Sequence, residues 1–291
     1  MAVLPEFAFR RCHDVVNKIH SAFYFSPEFG TELAELGLED RAAAYFVGRA
    51  APFGRVRAGI ITSAFFVFDH ALVARHIPAV WDVVSPEAAL AARLRAVDKM
   101  LRRRLGEVLI ASQEMIEAAD LALLATQACT RQARPLYAAN ADLPVPEPPH
   151  LALWYAATLL REHRGDSHVI TLVNSGLDPV EALVSHTATG QGRPVEWVLE
   201  TRGLSTHDWQ AAERRLRDRG LLTSDNVLTA AGAQLREKIE ADTDRLDAAP
   251  YEYLGGRGVA RLTELATAFS ASIAEDGSTS ADSRAGASGG G

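Results

Sequence analysis

Four prolines fall within eleven residues of the chain, in NADLPVPEPPH at 140–150, and no helix can pass through them. Each lacks a backbone N–H, and within a helix its ring would meet the carbonyl four residues back. On either side apolar residues recur every three to four positions, and strand-like alternation is almost absent. The chain therefore reads as mainly α, with a helical unit over 1–140, a Pro-rich linker over 141–150 and a second unit over 151–273. The remainder, 274–291, is small, polar and rich in Gly and Ser, which predicts a disordered tail. Other prolines mark helix starts. SPEF at 26–29, SPEA at 85–88 and DPVE at 178–181 each put Ser or Asp at an N-cap with Pro in the first turn. Glu181 also suits a capping box with Asp178. Residues 86–139 read as two long helices, or as one helix bent near Gly106.

Of 291 residues, 48% are hydrophobic and 23% charged, which allows a core in each unit. The most apolar run, AGIITSAFFVF, is shorter than the ~18 residues of a membrane span, so no membrane partner is expected. Two cysteines, Cys12 and Cys129, give no disulfide framework, and MAVLPEFAFRRCHD lacks the pattern of an export signal; the expected compartment is the cytoplasm. The net charge of −7 is unevenly spread. Residues 1–150 hold 16 Lys and Arg against 17 Asp and Glu, while residues 151–291 hold 14 against 20.

The stretch LSTHDWQAAERRLRDRGLLTSDNVLTAAG at 204–232 carries the clearest pattern. On a helix over 206–219, Trp209, Ala212 and Leu216 share one side and would pack inward. His207, Gln210, Arg214 and Arg217 share the opposite side, and these residue types reach base edges and phosphates in a major groove. Ser205 or Thr206 can cap this helix and Gly220 can end it. PVEWVLETRG supplies a short supporting helix with a turn at Gly203, and two short β-prone pieces flank Asp225 and Asn226. Helix, tight turn, helix and hairpin make a winged helix-turn-helix plan.

This segment resembles the C-terminal part of a MarR-type winged-helix domain, through its recognition helix, RGLL, the wing and LTAAGAQLREKIE. The whole chain, over about 10–270, resembles an actinobacterial helix-turn-helix family related to MarR regulators, through HSAFYFSPE, YFVGRAAPFG, LREHRGDSH and TDRLDAAPY. The resemblance implies a winged domain with one short β-hairpin wing, a homodimer and a ligand-sensing regulator of transcription. One departure bears on DNA binding. The wing tip TSDN is acidic, and residues 194–232 hold five Arg against six acids. Phosphate neutralisation supplies most non-specific DNA affinity, so strong sequence-blind binding is not expected. Arg214, Arg215, Arg217 and Arg219 can equally form a solvated face paired with Asp208, Glu213 and Asp218.

Two places suggest a ligand pocket. On the first helix, over about 5–24, Phe9, Cys12, Val16, Ile19 and Phe23 form a core stripe. Beside it His13, Asn17, His20 and Tyr24 recur at helical spacing, as on a helix lining a pocket, and Glu28 follows. In LREHRGDSH, Gly165 can end a helix begun near Leu151 with Asp166 capping the next; the functional alternative places His163, Asp166 and His168 around one turn, able to bind a metal or orient a catalytic water. All these residues can equally be hydrogen-bonded structural groups. Haem or a divalent metal at His13 and His20, or at His163 and His168, is the alternative to a site without cofactor. No catalytic residue is assigned, and an enzymatic role is left open. Near the C-terminus, Val259, Leu262, Leu265, Ala266 and Phe269 form an apolar stripe with no obvious internal partner, expected to pair two copies; the alternative is that it packs back on the first unit.

Two readings follow. One is a ligand-responsive DNA-binding regulator, and the other a DNA-silent protein that binds a small molecule on the same scaffold.

Overall fold

The computed structural model describes residues 8–285. Among them the chain forms helices α1 (Ala8–Ser21), α2 (Pro27–Ala34), α3 (Arg41–Ala50), α4 (Ala58–Phe65), α5 (His70–His76), α6 (Pro86–Ile110) and α7 (Gln113–Thr126). There follow α8 (Pro135–Ala141), α9 (Pro149–Asn174), α10 (Pro179–Thr187), α11 (Val195–Arg202), α12 (Thr206–Asp218), α13 (Ala230–Leu246) and α14 (Ala249–Ala285). The chain is mainly helical, as the periodicity predicts. Ser85 caps α6, Asp178 and Glu181 close a capping box on α10, and α6 breaks at Gly106 with φ 74°. Ser26 precedes α2 without a side-chain cap bond, because its hydroxyl donates to Glu28 instead. The helix of α14 extends to Ala285, into the stretch expected to be disordered; residues 286–291 lie outside the described residues.

No strand forms among the described residues, which corrects the expected β-hairpin wing. Leu222 and Leu228 make only an isolated antiparallel bridge. The reason is the short span. Thr229 donates its hydroxyl to the Gly220 carbonyl and caps α13, so both ends of 221–228 are pinned to helices. A tight turn with one bridge is what fits.

The buried apolar residues form two main clusters, and the prolines do not divide them. They end α8 and start α9, as their chemistry requires, but the first half of α9 lies in the larger core. Leu151, Leu153, Trp154, Ala157 and Leu160 pack there with α1, α6 and α7. The far end of α9 contributes Leu172 to the smaller core, with Leu177, Val198, Trp209, Leu216 and Ile239. The larger core also takes back the C-terminus. Val259, Leu262, Leu265, Ala266 and Phe269 of α14 are all at most 4% exposed, packed on α1 and α7. The stripe therefore does not stand ready to pair two copies, as expected, but packs back on its own chain, because α1 and α7 supply the internal partner that the sequence did not reveal.

Helix α9 also runs straight through Gly165, where the sequence suggested a break and a cap by Asp166. A glycine inside a helix costs about 1 kcal/mol relative to alanine. Here its missing side chain makes room: a Cβ would stand 3.2 Å from an Arg161 guanidinium nitrogen and 3.6 Å from a Glu162 carboxylate oxygen.

Candidate nucleic-acid interface and ligand cavity

Helices α11 and α12 meet through Gly203, Leu204 and Ser205. Gly203 is left-handed at φ 71°, and its N–H bonds the Leu199 carbonyl. It also lies against α5, since a Cβ there would come within 2.7 Å of the Leu72 Cβ. A side chain at 203 would be both strained and blocked. Ser205 then opens α12 by a capping box with Asp208. Trp209, Ala212 and Leu216 are buried, as the helical stripe predicts.

The opposite side of α12 presents His207, Gln210 and Arg214 to solvent. Arg214 has no ion pair among the described residues. Arg217 is half-buried and donates to the Asn226 side chain in the following turn. The other two arginines are tied differently from the sequence expectation. Arg215 bonds Asp178 at 2.5 Å and Glu181 at 3.1 Å, and Arg219 bonds Glu181 at 2.9 Å. Their partners thus come from the first turn of α10. Within α12, Asp208 serves the cap and Glu213 accepts from the Trp209 indole at 2.9 Å.

The eight residues suggested for a ligand pocket do not share one site. His13 lies 3.2 Å from the Tyr251 hydroxyl, and burial holds its pKa well below the usual histidine value. His20 bonds Thr158 through Nδ1 at 2.9 Å and Tyr24 through Nε2 at 3.2 Å. Thr158 spends its only proton on the Trp154 carbonyl. His20 Nδ1 must therefore donate to Thr158, leaving Nε2 to accept from Tyr24. Burial brings His20 down to about 3, so the ring is neutral near pH 7, and raises Tyr24 to about 12. Glu28 is bound by Arg103 at 2.7 Å and Ser26 at 2.5 Å. His163 meets Asp247 at 2.6 Å, and His168 meets Thr243 at 3.0 Å, with burial lowering His168 to about 4. Asp166 accepts the Tyr137 N–H at 2.9 Å and so serves the start of α8. It also lines a separate cleft of about 400 Å³ with Pro135 and Val169. Among the described residues no group of three or more His, Cys, Asp or Glu is placed to hold a metal ion. No helix among them is long and apolar enough to cross a membrane.

Asn17 and Tyr24 do come together, at a cavity of about 510 Å³ between the larger unit and α11. Its walls include Tyr45, Phe68, Trp197 and Arg202. Arg202 stacks its guanidinium 4.5 Å from the Phe68 ring centre and 5.1 Å from that of Trp197. The Arg202 carbonyl accepts the Asp69 N–H at 2.9 Å, tying α11 to the start of α5. At one end Arg161 joins Glu162, which also binds Arg49 at 3.2 Å. Sequence reasoning missed the α11 side of this site. The available signal was Trp197, a large aromatic beside Val198, the buried residue of that helix.

No curated protein and no solved structure matches the chain. A family model described as a helix-turn-helix family matches residues 9–280. That match runs through both cores and across the α11–α12 turn, and the chain belongs to this helix-turn-helix family.

Proposed function

We propose that the protein is a DNA-binding regulator that reads DNA through α12 and responds to a small molecule bound beside α11. The observation that carries the DNA half is the division of α12 into two faces. Trp209, Ala212 and Leu216 anchor it, while His207, Gln210 and Arg214 face solvent, His207 with Asp208 beside it at 3.9 Å. Arg217 is the fourth residue of this reading face, held by Asn226 at its edge. The MarR-like character belongs to the same proposal, since ligand-coupled DNA binding is what that resemblance implies.

Electrostatics limit how the helix can bind. With five Arg against six acids over 194–232, and two of those arginines already paired with α10, few phosphates can be neutralised. The slope of log affinity against log salt should be shallow, on the order of −2 to −4 per monomer. Fluorescence anisotropy with a labelled fragment from upstream of the protein's own gene, at low salt, tests the reading. Loss of a bidentate Arg–guanine contact costs about 1–3 kcal/mol, so Arg214→Ala should weaken specific binding about tenfold. Absence of binding to any DNA would leave the second reading, a DNA-silent ligand-binding protein. The observation favouring that reading is the use of Arg215 and Arg219 as internal ties.

A further inference from the structure

Asp166 lies in the second half of α9 at 3% exposure, and its carboxyl borders two different things. Oδ2 accepts the Tyr137 N–H at 2.9 Å, which serves the first turn of α8. The same side chain lines the cleft of about 400 Å³ between α4, the start of α8 and the last turns of α9. The backbone task needs only a neutral oxygen. An asparagine would perform it without burying an ionisable group, and burying a charge without a partner is costly. The chain nonetheless carries the acid.

Its surroundings supply no dedicated counter-charge. Glu162, one turn earlier on α9, repels it, and His163 is committed to Asp247. Arg49 of α3 attracts it but is held by Glu162 at 3.2 Å. Arg134, just before α8, donates to Ser167 and to the Leu246 carbonyl. From α4 come Ser63 and Ala64, neither of them charged. Among the described residues that line the cleft, Asp166 is the one charged group. Most of the remaining wall is aliphatic: Ala64, Pro135, Val169, Ile170 and Val173. Val173 is 57% exposed, so the apolar lining reaches the surface and gives a way in. The volume of about 400 Å³ falls in the range of small-molecule sites.

We propose that this cleft binds a primary alkylammonium ion, with Asp166 meeting the charged head and Val169, Ile170 and Val173 the hydrocarbon. An ammonium supplies the missing opposite charge, and the carboxylate has lone pairs enough to accept from it and from Tyr137 together. An anion meets like charge at Asp166, and a neutral alcohol leaves the carboxylate unpaired. The aliphatic walls present no ring faces, so nothing in them selects an aromatic ligand. Protonation of Asp166 competes with the ligand. Burial raises this carboxyl to about 7, so it is mostly neutral at pH 6 and mostly ionised at pH 8. An alkylammonium is charged at both. Affinity falls with the fraction of binding-competent protein, so it should be about tenfold higher at pH 8 than at pH 6. The cleft shares no lining residue with the cavity beside α11, and the binding step requires neither that cavity nor DNA.

Three probes that share a saturated ring and differ in charge test it on the full chain: cyclohexylmethylamine, cyclohexylmethanol and cyclohexanecarboxylate, titrated by calorimetry. At pH 8 the amine should bind at least tenfold more tightly than the alcohol, with the carboxylate weakest. Asp166→Asn should bring the amine down to the affinity of the alcohol and leave the alcohol unchanged. Val173→Lys, at an exposed position, puts a cation at the cleft and should weaken the amine several-fold. It provides a second variant if Asp166→Asn does not fold by circular dichroism. Equal binding of amine and alcohol, undiminished amine affinity in Asp166→Asn, an amine affinity that does not change between pH 6 and pH 8, or no binding of any probe would overturn the proposal. Anisotropy with upstream DNA reports separately on the regulator. Amine binding without DNA binding removes the regulator and leaves the cleft; DNA binding without amine binding does the reverse.

Discussion

Glu162 and Asp166 stand one turn apart on α9, at 1% and 3% exposure, yet their surroundings push their titrations in opposite directions. Burial alone would raise Glu162, but Arg161 and Arg49 outweigh it and hold the carboxyl at about 2, against 4.5 for the free side chain. Its contribution to stability is present above about pH 4.5 and is lost as pH falls toward 2. For Asp166 burial wins over the Tyr137 N–H, and the pKa rises from 3.8 to about 7. The unfolded chain then releases this proton before the folded one does, so stability drops as pH climbs from about 4 to 7. A pKa difference of three units corresponds to a few kcal/mol. Asp166→Asn keeps an oxygen for the Tyr137 N–H and cannot ionise. Urea midpoints should therefore match wild type near pH 4 and exceed it at pH 8. Identical midpoints at both pH values would mean that folding does not raise the Asp166 pKa. Glu162→Gln should cost about 3–5 kcal/mol at pH 7, because it strands Arg49 in the interior.

Among the elements, the α11–α12 turn makes the sharpest demand on a single residue. Gly203→Ala introduces a side chain at φ 71° and directly against Leu72. The left-handed backbone alone costs about 1–2 kcal/mol, and the clash adds to it. In a double-mutant cycle Leu72→Gly, which removes the Cβ that a side chain at 203 would strike, should recover part of the loss, giving a coupling above about 0.5 kcal/mol; additive effects would show that the two do not touch. Much of this element was legible beforehand. Caps and a three-residue turn are local, so Ser205, Gly203 and the Trp209–Ala212–Leu216 stripe could be read from spacing. The wing was not, because a β-prone composition says nothing of how tightly Gly220 and Thr229 pin the two ends. The pocket residues fared similarly. His13, His20, His163 and His168 read equally well as site or structure, and only tertiary contacts reveal Tyr251, Thr158, Asp247 and Thr243 as their partners. Helical spacing placed Asn17 and Tyr24 correctly beside one another, but not the far wall, which comes from a helix more than 150 positions along the chain.

At the scale of the whole molecule, two cores share one helix. The first half of α9 lies in the larger core, Leu172 near its end lies in the smaller, and α13 packs along it. The larger core is also closed by α14, whose Phe269 is 1% exposed against the chain's own α1 and α7. Removing everything after Gly256 would strip six buried apolar residues, Ile273 among them, from that core, so the shortened chain should unfold rather than become a well-folded monomer. A gentler probe separates packing from assembly. Phe269→Ala should cost about 3–5 kcal/mol, while light scattering at matched concentration should return the wild-type mass, whatever that mass is, since this side chain faces inward. Leu172→Ala should cost about 2–5 kcal/mol from the other core. If α9 couples the two, both variants should lower the midpoint of one urea transition, followed equally by tryptophan fluorescence and far-UV circular dichroism. The indole of Trp209 reports the smaller core and that of Trp154 the larger. Two separated transitions, with Leu172→Ala moving only one, would show that the helix-turn-helix unit opens by itself. A ligand bound beside α11 could then act by ordering that unit instead of re-aiming it. A single shared transition leaves re-aiming through α11 and Gly203 as the route from cavity to α12.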